Sequence, residues 1–510
     1  MTQATAPRPV PQVPMDADAI IVGCGPSGMA AAIELAQAGC SVIVMDMQPA
    51  PGGQIFRNLE ANIAADRSGG GELLAALGPS YRAGADLIRR FRACTRIDYR
   101  SQTTVWEVRT DGTVGWLRGM EAGYLRASRV LLAHGAMERP TPFPGWTLPG
   151  VMTAGAVQTL LKAGGLKPTG NVVLAGTGPL LLLLARQLHR LGVKPPLIGR
   201  TDHFADGVRA VRHLRRDGLA PVIKGLGWLA HLKLAGVRSV TGLSGLVAEG
   251  HEKVEAVSFT VRGRKMRVPC DLLVVHDGIV PAVDIPNGAG LALQWDQANA
   301  SWRPRTTPNG QAASTLPPGL RPEHCAIRIT GDARRIGGAE AAIAHGRLAA
   351  QAMLADLGRG GSVSTKAREA VGRTLSARPF LDAAFPPGLS ATLPGDDTIV
   401  CRCEELTAGA LREKIRAGFT NMDALRGETR CGMGPCQGRN CMVTAARLIA
   451  ECQGADSPAL PVFRGRPPIR PLPLGALASL TGLDPRETEL LTLEDKPEND
   501  REDTTHVPAH

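Results

Sequence analysis

Ala17-Asp-Ala-Ile-Ile-Val-Gly23-Cys24-Gly25-Pro26-Ser27-Gly28 is the stretch that decides how this chain folds. Residues 18–24 form an apolar run with no alternation, as expected of a strand buried on both faces of a parallel sheet. Gly23 permits a tight turn after that strand. Gly25 lets the backbone approach a pyrophosphate, and Gly28 allows close packing of helix on strand. Pro26 and Ser27 open a predicted helix over 26–38, whose N-terminus offers free N–H groups and a positive dipole end to phosphate. Cys40 to Met45 reads as the second strand. Asp46 closes it, 18 residues after Gly28, where an acid binds ribose hydroxyls. A G-x-G-x-x-G alone is a weak signal. With strand, helix and acid in register it reads as a dinucleotide turn, and the motif does not choose between FAD and NAD.

Further apolar strands are expected at Arg129–Ala133, Asn171–Ala175 and Asp271–Val275. Helical patterns separate them, which predicts parallel sheets. A second strand, glycine turn and helix begin at Val172, with Gly176-Thr-Gly178-Pro-Leu-Leu181. The third glycine is missing, and Arg200 rather than an acid closes the next strand, with Asp202 beyond it. Arg200 suits an adenylate phosphate; the alternative is a unit that keeps the fold without the site. Residues 326–352, with Thr330-Gly331-Asp332 and then Gly337-Gly338 before a helix, read as a return to the first unit. The expected fold class is α/β: two Rossmann-like dinucleotide-binding domains and a small C-terminal helical domain. The expected domains are 17–165 with 286–354, then 166–285, a linker at 355–396 with one helical piece near 365–384, and a cysteine domain at 397–455. Residues 1–16 and the acidic stretch from Asp484 read as disordered tails, with an extended Pro-rich segment after 456.

The chain has 510 residues, enough for several domains, and 44% hydrophobic residues, enough for large cores. Its net charge of +11 is dispersed, with local groups such as Arg209-Ala-Val-Arg-His-Leu-Arg-Arg216 and no basic run interleaved with aromatics. Nucleic acid is therefore not an expected partner. The longest apolar run, Leu180–Ala185, is too short to span a bilayer, and no secretory signal opens the chain. Eleven cysteines in such a chain point to a reducing compartment, so the expected location is the cytoplasm. Contact with a membrane surface is expected only through an electron acceptor.

Six of those cysteines lie between 401 and 452. Cys401-Arg-Cys403 and Cys436-Gln-Gly-Arg-Asn-Cys441 make C-x-C, a spacer of 32 residues (404 to 435), and C-x4-C. Two thiol pairs brought together by folding suit a [2Fe–2S] cluster or zinc. The C-x-C pair is tighter than the C-x2-C or wider spacing of common zinc sites, which favours iron–sulfur. Gly432, Gly434 and Gly438 would let backbone N–H groups reach cluster sulfurs, and Arg402, Arg430 and Arg439 would offset thiolate charge. Cys431 is an extra thiol; with Cys436 it makes a second C-x4-C, so an alternative ligand set is open.

Three short stretches, Pro51-Gly52-Gly53-Gln54, Ala133-His134-Gly135-Ala136 and Thr330-Gly331-Asp332, resemble the remaining fingerprints of the two-dinucleotide-domain flavoproteins. That resemblance implies FAD in the first site, with Asp332 on its ribityl or pyrophosphate part. The implied flavin contacts are Gly23, Gly25, Pro26, Ser27, Gly28, Asp46, Gly53, Gln54, Val105, Gly135, Gly331 and Asp332. Gly176 and Gly178 are candidates for a second nucleotide, NAD(P) or another. Cys401-Arg-Cys-Glu-Glu-Leu-Thr with Thr429-Arg-Cys-Gly-Met-Gly-Pro-Cys-Gln-Gly-Arg-Asn-Cys441 resembles the bacterioferritin-associated-ferredoxin-like [2Fe–2S] domain. Its members ligate through the positions matching Cys401, Cys403, Cys436 and Cys441.

The stretch Gly135-Ala-Met-Glu-Arg-Pro-Thr-Pro-Phe-Pro-Gly-Trp-Thr-Leu-Pro-Gly-Val-Met-Thr-Ala-Gly155 is similar to the large FAD subunits of the opine oxidase, hydrogen cyanide synthase and D-hydroxyproline dehydrogenase group. It also resembles the α subunits of heteromeric sarcosine oxidase and proline dehydrogenase. The resemblance spans about 17–475. It implies a relay subunit of an amino- or imino-acid dehydrogenase, beside a smaller FAD-dependent amine-oxidising subunit; some members add a small ferredoxin-like one. Substrate oxidation would then take place in the partner. No close cysteine pair adjoins the proposed flavin, so disulfide-reductase chemistry is not expected. Two rivals stand: a self-contained NAD(P)H-dependent flavin reductase, and a scaffold with degenerate sites. His134 reads as a structural histidine, His276-Asp277 as a turn, and Cys24 as a small buried thiol.

Overall fold

The computed structural model describes residues 15–67, 71–315, 326–455, 458, 462–478 and 480. The expected N-terminal tail (all but its last residues), the start of the segment after 456 and the acidic tail lie outside them. The opening strand, Ala17–Val22, pairs in parallel with Val42–Met45 on one side and with Glu121–Leu132 on the other. Ile97–Arg100 extends the sheet beyond Val42–Met45, and Ile327–Ile329 returns to pair in parallel with Val130–Leu132. Thr104–Val108 and Thr113–Arg118 complete seven strands as an antiparallel extension of Glu121–Leu132. Ala19, Ile20 and Ile21 are fully buried, as a central parallel strand covered on both faces requires.

The Pro26–Gln37 helix packs on this sheet and against the Ala339–Asp356 helix. Their approach is close at Ser27: a Cβ on Gly346 would overlap the Ser27 carbonyl. Glycine at 346 therefore sets how near the returning helix comes to the phosphate turn. The Ser27 hydroxyl also shares a hydrogen bond with Thr330 Oγ1 at 2.9 Å.

The second unit is a five-stranded parallel sheet in the order Ser239–Thr241, Ile198–Arg200, Val172–Thr177, Leu272–Asp277, Val151–Thr153. One face carries the Ala154–Gly164, Pro179–Arg190 and Leu219–Leu234 helices. The other is covered by an antiparallel meander, Leu243–Glu249, Ala256–Val261 and Arg264–Pro269. A two-stranded ribbon, Ala136–Glu138 against Ile279–Pro281, carries the chain into and out of this unit. The Ala154–Gly164 helix begins at Thr153, whose hydroxyl accepts from Ala156 N at 3.4 Å, and ends at Gly165 in the left-handed region.

Residues 355–396 are more structured than a linker. They hold two helices, Thr365–Thr374 and Arg378–Ala384, where one helical piece was expected. The break falls at 375–377. Pro379 tolerates only the first turn of the second helix, because it lacks an N–H. The C-terminal region follows with Ala408–Arg416, Met422–Thr429 and Met442–Cys452 around a core of Val400, Leu411, Leu425, Leu448 and Ile449. Thr407 caps the first of these helices through Ala410 N at 3.2 Å. Val283 and Trp302 join the same core, so the C-terminal region is packed on the preceding α/β body. No helix among the described residues is long and apolar enough to cross a membrane.

Candidate functional site

At two of its three glycines the first turn leaves no room for a side chain. Gly23 has φ +103°, and a Cβ there would lie 2.6 Å from the Ala133 carbonyl oxygen. A Cβ on Gly28 would overlap the Gly23 carbonyl, and one on Gly53 (φ +59°) would sit 2.8 Å from Gly25 Cα. Gly53 therefore presses directly on the phosphate turn. Asp46 stands at the same end of the sheet. Its Oδ2 accepts from Cys24 N at 2.5 Å and its Oδ1 from Gln48 N at 2.7 Å. Burial pushes the Asp46 carboxyl up; those two N–H groups and Arg57 pull it back.

Arg57 and Lys162 were not among the sequence candidates, yet both meet Gln54. Arg57 Nη1 donates to Gln48 Oε1 at 2.6 Å and its Nη2 to Gln54 Oε1 at 3.0 Å, while Nε is buried with no partner among the described residues. Lys162 Nζ donates to the Gln54 carbonyl at 3.1 Å and Gln158 Oε1 at 2.9 Å. Burial, with Arg57 nearby, brings its ammonium down to about 7. Lone basic residues give no sequence signal, and Lys162 lies 108 positions from Gln54.

Asp332 holds the lead-in to the returning helix: its Oδ1 accepts from Gly337 N at 2.8 Å and Gly338 N at 3.1 Å. Burial pushes its carboxyl up, against those two bonds. Gly331 is left-handed (φ +64°), and a Cβ there would meet Ser27 Cβ at 2.8 Å. Gly135 is left-handed too, in open space. Val105 is buried on the Thr104–Val108 strand, whose lead-in residue Thr103 donates its N–H to the Asp46 carbonyl at 2.9 Å. The structure thus brings the first-site candidates to one end of the seven-stranded sheet. A pyrophosphate suits the clear backbone approach at Gly25, the only glycine of the three in extended conformation at the helix N-cap.

His134 Nε2 bonds the Ala282 carbonyl at 2.7 Å, while Nδ1 is buried with no partner among the described residues. Burial pushes its imidazolium down. Burial also works to raise the nearby Asp284 carboxyl, but Arg470 and His134 outweigh it and leave it lowered.

At the second turn, Gly176 (φ +128°) and Gly178 (φ +100°) keep the Rossmann geometry. The surroundings are filled by the protein itself. Arg200 is ion-paired to Asp202 and lies 5.9 Å from the Phe385 ring centre. Asp277, read from sequence as a turn residue, is buried at the end of Leu272–Asp277. It accepts from the N–H groups of Gly388, Leu389 and Ser390 at 2.8, 2.9 and 2.9 Å and from the Ser390 hydroxyl. Gly388 is packed on Thr201 with no room for a Cβ. The segment 388–390 therefore bridges the ends of the strands flanking Val172–Thr177. Arg447, in the Met442–Cys452 helix, holds its far side through the carbonyls of Ser390 and Ala391. His276 is likewise no turn residue: it is buried, bonded to Glu138, whose Oε2 accepts from Gly155 N at 2.6 Å.

Five thiols converge in the C-terminal region. The Sγ atoms of Cys401, Cys431 and Cys441 lie within 4.8 Å of one another, and all three residues are buried. Cys403 is exposed and Cys436 half-buried. Burial first, then contact with Cys403, raises the Cys436 thiol. Bonds from Cys431 and Cys441, with N–H groups of Gly432 and Glu404, bring the Cys401 thiol down to about 2. The contact with Cys401 pushes both Cys431 and Cys441 up, and the Cys431 contact raises Cys441 further. Gly432 (φ +83°) and Gly438 (φ +80°) leave space for the Phe463 ring, and Gly434 for Cys403. Arg430 is paired to Glu404 at 2.9 Å, and Arg439 donates to the Cys436 carbonyl at 3.0 Å; Arg402 stacks near Trp146 at 6.0 Å. An all-sulfur donor set of this kind fits an iron–sulfur cluster.

Residues 17–301 match the pyridine nucleotide-disulphide oxidoreductase family, and residues 396–480 match the sarcosine oxidase A3 domain. The A-subunit of opine oxidase from Agrobacterium tumefaciens is 38% identical over 96% of this chain and 97% of its own. The HcnB component of hydrogen cyanide synthase from Pseudomonas aeruginosa is 32% identical over 90% of this chain and 98% of its own. The alpha-subunit of sarcosine oxidase from Corynebacterium is 26% identical over 94% of this chain but only 47% of its own. L-proline dehydrogenase of P. horikoshii shares the fold, with a TM-score of 0.65 at 20% identity over 90% of this chain and 79% of that one. With 36–38% identity to opine oxidase A-subunits over nearly the whole of both chains, and with both family models matched, the chain belongs to the opine oxidase A-subunit family of flavoprotein oxidoreductases.

Proposed function

We propose that this chain is the FAD- and [2Fe–2S]-bearing electron-transfer subunit of a heteromeric amino- or imino-acid dehydrogenase, of opine, hydroxyproline or glycine type. The observation that carries this reading is the core shared by the thiol pocket and the flavoprotein body. Cys401, Cys431 and Cys441 pack in one apolar cluster with Val283 and Trp302. Trp146 Nε1 donates to the Ile399 carbonyl at 2.7 Å, two residues before Cys401. Such packing holds two redox groups at a fixed separation, which a relay needs and a scaffold does not.

Gly23, Gly25, Ser27, Asp46, Gly53 and Asp332 would hold FAD, and four of the five thiols a cluster. When bound, FAD exchanges electrons in pairs and a [2Fe–2S] cluster exchanges them singly. The residues of the chain would bind, orient and shield these groups. C–H oxidation is assigned to a smaller FAD-dependent amine-oxidising partner, with a small ferredoxin-like protein as a further component. The bridging of the strand ends beside the second glycine turn by residues 388–390 favours this reading over an NAD(P)H-dependent reductase.

An anaerobic absorption titration of the isolated chain with NADH tests it. Flavin and cluster bands that stay unbleached, and then bleach on adding the amine-oxidising partner with its substrate, are expected. Stoichiometric bleaching by NADH alone would overturn the relay in favour of a reductase, and a colourless chain that cannot be reconstituted would overturn both.

A further inference from the structure

The thiol pocket holds one more cysteine than a four-ligand cluster uses. Two of the three mutually close sulfurs, Cys401 and Cys441, belong to the C-x-C and C-x4-C pairs; the third is Cys431. Cys403, the remaining C-x-C thiol, is exposed on the turn after Ile399–Cys401. Among the described residues, these three are the only group of His, Cys, Asp and Glu side chains placed together as metal donors.

Local backbone aims Cys431 inward. The Met422–Thr429 helix ends at Arg430 in the left-handed region (φ +62°), and Gly432 follows at φ +83°. Cys431 sits between these two reversals, its N–H donating to Thr429 Oγ1 at 3.2 Å. The side chain is fully buried against Cys401 and Cys441. Packing alone does not require sulfur there, since a small apolar side chain would fill the same space.

We propose that Cys431 is an alternate cluster ligand, able to replace Cys403 beside Cys401, Cys436 and Cys441. The inference rests on the iron–sulfur reading above. In the exchange, the Fe–S bond to Cys403 breaks and that thiolate takes up a proton, while Cys431 gives up its proton and forms the new bond. Protons balance, no electrons move, and the ligand set stays all-thiolate. A cluster would thus survive the loss of its most exposed ligand.

The test uses the full-length chain, reconstituted anaerobically with ferrous iron and sulfide, as wild type, Cys403→Ala, Cys431→Ala and the double variant. Alanine cannot ligate, so no oxygen donor confuses the result. Iron and acid-labile sulfide per chain, and the EPR spectrum after dithionite reduction, are the readouts; bound flavin serves as the control for folding. Each single variant is expected to keep the wild-type iron and sulfide content. Cys403→Ala is expected to show shifted g values and Cys431→Ala unshifted ones. The double variant is expected to lose at least half of its iron while keeping its flavin. Equal loss in Cys403→Ala and the double variant would overturn the proposal, as would loss in Cys431→Ala alone or full retention in the double variant. Wild-type protein that takes up no iron and sulfide would instead refute the cluster reading itself.

Discussion

Replacing Asp277 should release the 388–390 segment from the second unit. Its carboxylate is buried, accepts three backbone N–H groups and the Ser390 hydroxyl, and lies 4.0 Å from the buried Arg139 guanidinium. Removing one partner of a buried charge pair typically costs ~3–5 kcal/mol. Arg139 keeps carbonyl partners at Asp277, Ala300 and Asn299, which places Asp277→Ala at the low end, about 3 kcal/mol. Asp277→Asn keeps one acceptor oxygen, for Gly388 and Leu389, but turns an N–H donor toward Ser390. It should cost about 1–2 kcal/mol. If this energy is spent on local opening, 3 kcal/mol corresponds to about a 10²-fold faster hydrogen exchange. Exchange measured by mass spectrometry on a peptide covering 386–392 reads this directly. Protection of that peptide within about threefold of wild type in Asp277→Ala would refute the reasoning, because the segment would then be held by something other than Asp277.

Gly28→Ala places a Cβ onto the Gly23 carbonyl, so the purified variant should lack bound flavin while its C-terminal region stays folded; flavin absorbance per chain checks this. Asp332→Ala leaves the Gly337 and Gly338 N–H groups without their acceptor and should weaken flavin retention on dialysis at least tenfold. Lys162 is buried with an ammonium brought down to about 7, so the unfolded chain binds more protons between pH 7 and its ordinary value. Wild-type stability should therefore rise relative to Lys162→Met by about 1.4 kcal/mol per pH unit across that window. Urea midpoints at pH 7 and pH 9 measure it, and an unchanged difference between the two proteins would contradict the assignment. Trp146→Phe removes the hydrogen bond to the Ile399 carbonyl and should cost about 1 kcal/mol, seen as faster proteolysis after residue 390.

The parts legible in the sequence were those whose partners lie close along the chain. Gly23, Gly25, Gly28 and Asp46 fall within one strand–turn–helix–strand unit, so local spacing carries their geometry. The Ala408–Arg416 helix likewise begins at a local signal, the Thr407 cap on Ala410 N, because caps are local properties. Asp277 was not readable. Its donors are 111 to 113 residues away, and before the chain folds it looks like any aspartate beside a glycine. His276, Glu138 and Lys162 were missed for the same reason, whereas Arg57, whose partners Gln48 and Gln54 lie close along the chain, was missed because a lone basic residue carries no signal.

The cysteines mark the division most clearly. By itself the sequence determined that thiolate chemistry sits near the C-terminus, because C-x-C and C-x4-C spacing restricts which donors approach together. It also determined an α/β body with two dinucleotide-type glycine turns, because buried parallel strands and glycine turns are written in short runs. Which sulfurs meet was decided by tertiary structure. Cys431 reaches Cys401 and Cys441 only because a left-handed residue ends the Met422–Thr429 helix and the core turns the following loop inward, while Cys403 is left at the surface. Side-chain direction after a backbone reversal depends on packing across the fold, and no local pattern encodes it.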